Sequence, residues 1–274
     1  MEIVLTTVIL PLLCGLVSAV VLAGAPARPY LGYACVCLSC LFVYSGLQGF
    51  PRPIPINVSQ KLFDALLVAA PVFWALRRTS PKASAKIAFV MSVTLLGWLM
   101  WRRLHPDLSI FTFWEAAVPI AIASLAKAFD REDIAATDQI ISIGVFALGL
   151  SIIAAFAPFV GFAQVAMAFG IYSLTIAGFA FCYAILAHRV PFPFEIGVSI
   201  QYLTLAVVGA ACVVGGFAPD VNRYAFALLP FALAAPSVCR RFLRRSESMH
   251  SIVVGLSAAL PVSAAALLAI HNGS

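Results

Sequence analysis

Phe111 to Phe129 reads FTFWEAAVPIAIASLAKAF, an apolar run of spanning length interrupted by Glu115 and Pro119. Proline has no N–H, and its ring crowds the carbonyl four residues earlier, so the backbone oxygen left without a helix partner is that of Glu115 itself. Carboxylate and freed carbonyl therefore fall at one place. Hydrocarbon satisfies neither group, so the pair must face protein, water or a bound cation. The stretch reads as a membrane helix with a polar break, and it sets the expectation for the rest: an all-α, polytopic integral membrane helical bundle.

A second stretch repeats the pattern. Glu115-Ala-Ala-Val-Pro119 aligns with Ser257-Ala-Ala-Leu-Pro261 at an offset of 142, and the same shift carries Arg102-Arg103 onto Arg244-Arg245. Each half would then hold an arginine pair followed by a proline-broken helix with a polar residue four before the proline. Alanine-rich windows also match one another by chance. The alignment makes a 5+5 repeat a candidate, with halves 1–136 and 137–274, and an odd number of helices per half would make the repeat inverted.

Composition supports the membrane reading independently. Hydrophobic residues make up 63% and charged residues 10% of the 274 positions, and mean hydropathy is +1.04, which leaves too little polar surface to cover a soluble globule. Apolar segments fill nearly the whole length, so residues 1–274 read as one transmembrane domain whose first partner is the lipid bilayer. The formal charge of +6 does not indicate nucleic acid, because Lys and Arg stand in short clusters at the ends of apolar runs. The seven cysteines lie in or beside apolar segments, and Cys37-Leu-Ser-Cys40 has C-x-x-C spacing without a second ligand pair elsewhere. They read as small packing residues.

A spanning helix needs roughly 20 apolar residues, and on that measure about ten spans are expected, over 3–23, 30–49, 61–76, 87–101, 111–129, 139–156, 162–186, 196–216, 224–238 and 251–270. Ala23-Gly-Ala25 resembles a signal-peptide cleavage site, but Glu2 is the only charged side chain before the first run, and a signal peptide needs a positive one there; the segment is expected to stay as an anchor. Prolines 51, 53 and 55 make the second link extended. Thr137 or Asp138 suits the N-cap of the sixth span, Ala157 to Gly161 a tight uncharged hairpin, and Pro230 and Pro236 soften the ninth. Odd-numbered links hold 12 of the 17 Lys and Arg residues and even-numbered links 5. The positive-inside bias then puts odd links in the cytoplasm and both termini outside it, in a bacterial inner (plasma) membrane.

The chemistry of enzymes is mostly missing. His105, His188, His250 and His271 stand singly at helix ends, which reads as solvated end residues, and there is no G-x-S-x-G, aspartate-rich magnesium motif or phosphate-cradling glycine loop. No cofactor and no metal are expected, and the protein is expected not to be an enzyme. Two classes of function remain. One is a small-solute or ion transporter whose substrate or ion site is built from Glu115 and Pro119 in one half and Ser257 and Pro261 in the other. The other is a non-catalytic subunit of a larger membrane complex, whose partners would be other membrane subunits or further copies of this chain.

Overall fold

The computed structural model describes residues 2–24, 29–50, 57–76, 90, 94, 97–99, 136–186, 197–218, 221–242 and 247–273, and all regular structure among them is helical. The 111–129 stretch lies outside them. Seven helices are long and apolar enough to cross a bilayer, which makes this a multi-pass membrane protein.

The chain enters as helix at Glu2, widens to a π-helix over Leu5–Ile9 and continues as α1, Leu10–Gly24. Pro11 explains the widening. It offers the Thr7 carbonyl no donor, and the Leu10 N–H, bonding back to the Leu5 carbonyl, opens the turn just where the proline ring must fit. Helices α2 (Pro29–Gln48) and α3 (Val58–Leu76) follow. Helix α3 starts three residues before its expected position, because Asn57 Oδ1 accepts the Gln60 N–H at 2.9 Å and caps it. Helices α4 (Ala136–Phe156) and α5 (Val160–Leu186) form the expected hairpin, and α6 (Gly197–Phe217) comes next. The ninth expected span is two helices, α7 (Arg223–Leu228) and α8 (Pro230–Phe242), and α9 (Glu247–Gly273) is the last.

Side-chain bonds between helix ends fix which ends share a face. Tyr44 donates to the Ser59 carbonyl at 2.7 Å and Tyr33 to that of Ala70 at 2.6 Å, so α2 and α3 are antiparallel. Gln48 Nε2 donates to the Gly161 carbonyl at 3.1 Å, which brings the end of α2 to the start of α5. Asn222 caps α7 and donates to the Leu268 carbonyl, while Cys239 on α8 meets Ser257 on α9, so the α7–α8 pair runs antiparallel to α9 through most of its depth. One face therefore gathers Gln48, Asn57, the 157–159 turn, Asn222 and Leu268. The opposite face gathers Tyr30, Leu76, Ala136, Phe242 and Glu247, next to the arginine-rich links. Trp98 belongs to the first face, since Lys61, in the first turns of α3, holds its Nζ 5.3 Å from the Trp98 ring centroid.

Helix α6 is central: 78% of its span is buried, against 28% for α1 and for α9, which present their apolar sides outward. Glycines on both helices bring α4 and α5 close together. A Cβ on Gly144 would lie 3.3 Å from the Gly170 carbonyl oxygen, and one on Gly170 would lie 3.2 Å from that of Gly144, so the two backbones touch. The candidate inverted repeat pairs α1 with α4 and α2 with α5, so packing of α1 on α5 should be matched by packing of α4 on α2. Gly15 and Ser18 of α1 do lie against Thr175 and Tyr172 of α5, but α4 makes no comparable contact with α2. These four helices do not follow the two-fold that a duplication would impose.

Candidate functional site

Of the four residues expected to form a site, Glu115 and Pro119 lie outside the described residues. Ser257 and Pro261 lie on α9, and there the expectation of a broken helix is corrected: α9 runs unbroken from Glu247 to Gly273 with Pro261 inside it. Ser257 is half-buried, and its Oγ accepts the Cys239 thiol at 3.3 Å. That contact is a seam between α8 and α9, with the bond turned inward.

The break falls at Leu229, between α7 and α8. Pro230 cannot donate, and the Leu229 N–H instead bonds the Phe226 carbonyl at 3.3 Å while the Ala232 N–H bonds the Leu229 carbonyl at 2.9 Å. These short-spaced bonds satisfy the Phe226 and Leu229 carbonyls beside the proline. Leu229 itself is fully buried, and a Cβ on Gly149 of α4 would come within 2.7 Å of its Cδ2 and 2.9 Å of Val262 on α9. The break is thus wedged between α4 and α9, and its lining there is apolar.

Helices α4 and α9 run parallel, with Ile141 facing Gly255 and Gly149 facing Val262. At their N-terminal ends they bring together Asp138, His250 and Ser251. Asp138 is 3% exposed and is the one charged side chain among the buried described residues. Its Oδ1 accepts the Ser251 hydroxyl at 2.6 Å, and its Oδ2 lies 2.9 Å from His250 Nδ1. A carboxylate has no proton to give, so Nδ1 donates and the remaining nitrogen, Nε2, carries the lone pair of the neutral ring. Nε2 is buried and has no partner among the described residues. The sequence reading took Asp138 for the cap of its own helix and His250 for a solvated end. Both are corrected: Asp138 spends both oxygens on α9, and the His250 side chain is only 12% exposed. No spacing within either helix points to the pair, because its members lie 112 residues apart and meet only once α4 and α9 are side by side.

A second polar centre lies deep in the bundle. Tyr172 on α5 donates to Ser18 Oγ on α1 at 2.9 Å, Ser18 lies 3.1 Å from Ser39 Oγ on α2, and Cys35 Sγ is 3.6 Å from Ser18. Tyr172 and Ser18 are fully buried. Just before Pro71 of α3, Tyr202 and Tyr33 donate to the Leu66 and Ala70 carbonyls, and both pack with Phe73 or Trp74. The cysteines carry free thiols, and among the described residues no group of three or more His, Cys, Asp or Glu could hold a metal ion. No protein-family model, curated protein or solved structure matches the chain.

Proposed function

We propose that the chain is a small-solute or ion carrier of a bacterial inner membrane, with ten spans and both termini outside the cytoplasm. The observation that carries the reading is the span broken at Leu229, buried between two unbroken parallel helices, one end of which holds a buried acid and histidine. A broken span is where one part of a carrier's bundle can move against another, whereas a purely packing subunit has no use for a costly break. In this reading Glu115 and Pro119 supply the polar break of the first half.

The count of ten is supported by three positions. Leu76 ends on the arginine-rich face, Trp98 stands beside Lys61 on the other, and Ala136 is back on the first. With the expected spans 87–101 and 111–129 added to the seven intact spans and the α7–α8 pair, the count is ten. No reaction is assigned, and the protein acts in this reading by binding and moving solute.

The test is reconstitution of the purified chain in liposomes loaded with a pH-sensitive dye, with amino acids, organic acids, sugars and inorganic cations added class by class. A carrier gives saturable flux with one class and none in liposomes bearing a heat-inactivated sample. No flux with any class, together with other polypeptides co-purifying in fixed proportion from the native membrane, would replace this reading by that of a complex subunit.

A further inference from the structure

The Asp138–His250–Ser251 cluster asks for more than a structural role. Ser251 and Asp138 alone would join α4 to α9 with one strong bond at 2.6 Å. A histidine added to that bond brings a second nitrogen into a buried place, where a lone pair or N–H without a partner is costly. Asp138 also does to His250 what an orienting carboxylate does behind a catalytic or metal-bound histidine: it accepts the hydrogen bond of Nδ1–H and leaves Nε2 as the base. The charge balance is favourable. With the ring neutral the buried pair carries one negative charge, and with Nε2 protonated it carries none, so the bundle can hold the imidazolium without an uncompensated charge.

We infer that His250 Nε2 is the proton-accepting position of the bundle, through which the carrier takes up and releases a coupling proton on its arginine-rich face. This rests on the carrier reading above. The step is simple: a proton leaves hydronium, or an acidic group of the solute, and bonds to Nε2, while the Nδ1–H···Oδ2 bond stays in place. It is reversed when the proton departs, and nothing is oxidised or reduced. The cluster lies within a turn of the helix ends, so the proton has a short way to water. Helices packed on α4 and α9 bring few other titratable groups to this end. They are Cys182 and Tyr183 of α5 and Cys239, Arg240 and Arg241 of α8, with Glu247 on α9 one turn before His250. Helix α6 brings none before Tyr202, whose hydroxyl is turned to Leu66, and α7 lies at the other face. Arg240 is exposed, and Asp138 is the group bonded to the ring.

Two measurements test it on the whole purified protein. The first counts protons taken up as the solution is acidified, in wild type, His250→Gln and Asp138→Asn. Wild type should take up one proton more than His250→Gln. The second is transport in liposomes. His250→Gln and Asp138→Asn should lose uptake driven by a pH gradient down to the level of protein-free liposomes, yet keep solute exchange at equal pH, which needs no net proton movement. Equal proton counts in wild type and His250→Gln, or gradient-driven uptake that survives both pair variants, would overturn the inference. If wild type moves no solute at all, the carrier reading fails by itself, and the proton count still decides whether Nε2 accepts a proton. Should His250→Gln not fold, the count and the exchange assay on Asp138→Asn decide in its place.

Discussion

Replacing Tyr172 by Phe removes one hydroxyl from the centre of the bundle and almost no volume. The lost bond is the 2.9 Å donation to Ser18, and Ser18 keeps Ser39 at 3.1 Å, so no buried oxygen is orphaned. The cost should then be that of one interhelical hydrogen bond in a membrane, about 0.6 kcal/mol and at most ~1.7 kcal/mol. In a Ser18→Ala, Ser39→Ala background the sign should change. Ser39 is also within hydrogen-bonding range of Tyr172, so both serines must go before the hydroxyl is stranded. A stranded buried hydroxyl costs about 1–3 kcal/mol, and Tyr172→Phe removes it, so there the substitution should be neutral or stabilising. Reversible unfolding in mixed micelles, run on the four proteins of this double-mutant cycle, measures the coupling. If Tyr172→Phe costs the same in both backgrounds, the three side chains do not form one network and the packing of α1, α2 and α5 assigned here is wrong.

Other perturbations test other parts of the bundle. Gly149→Ala should destabilise by about 1–2 kcal/mol, since overpacking against Leu229 and Val262 outweighs the gain in helix propensity, whereas Gly178→Ala, whose Cβ meets no described atom, should be neutral or stabilising in the same unfolding assay. In a background where the other six cysteines are replaced by Ala, Ser257→Cys should oxidise readily to a disulfide with Cys239, seen as the loss of two hydrogens by mass spectrometry; no bridge would mean that the register of α8 on α9 is different. Reporter fusions should place the 157–159 turn and Ser274 on one side of the membrane and the 243–246 link on the other, in the cytoplasm. Pro230→Ala should lengthen the distance between spin labels at Tyr224 and Val238, both exposed, toward the ~21 Å of a straight helix; an unchanged distance would mean that packing, and not the proline, makes the break.

Most of the spans were legible in the sequence, and for a physical reason. Hydrocarbon demands a long apolar run for each crossing, so the ends of α4, α5 and α6 lie within a few residues of where composition puts them. What failed were statements about single polar residues. Asn57 in an Asn-Val-Ser triplet carries no sign that it caps α3, because capping and solvent-facing asparagines have the same neighbours. Asp138 sits where a cap should sit, and only the parallel alignment of α4 with α9 reveals that its oxygens are taken by His250 and Ser251. The register between helices 112 residues apart is set by Gly149, Val262 and Leu229 fitting together, and pairwise fit is not written in the periodicity of any one segment.

The prolines show the same division between local rule and tertiary outcome. Pro71, Pro236 and Pro261 all sit inside helices that continue through them, whereas α7 stops just before Pro230. Each removes the same N–H, so the difference must come from surroundings. At Pro71 the hydroxyls of Tyr33 and Tyr202 bond the Ala70 and Leu66 carbonyls in the stretch just before the ring, and the helix is held there from α2 and α6. At Pro230 no side chain does so; the backbone itself tightens, and Leu229 swings into the groove that Gly149 opens in α4. A glycine two helices away thus turns a tolerated proline into a break. The break in turn lies against α4 and α9, the two helices joined at one end by Asp138 and His250. A change of charge at that end and a movement at the break would therefore act on the same pair of helices, which is the mechanical link a proton-coupled carrier requires.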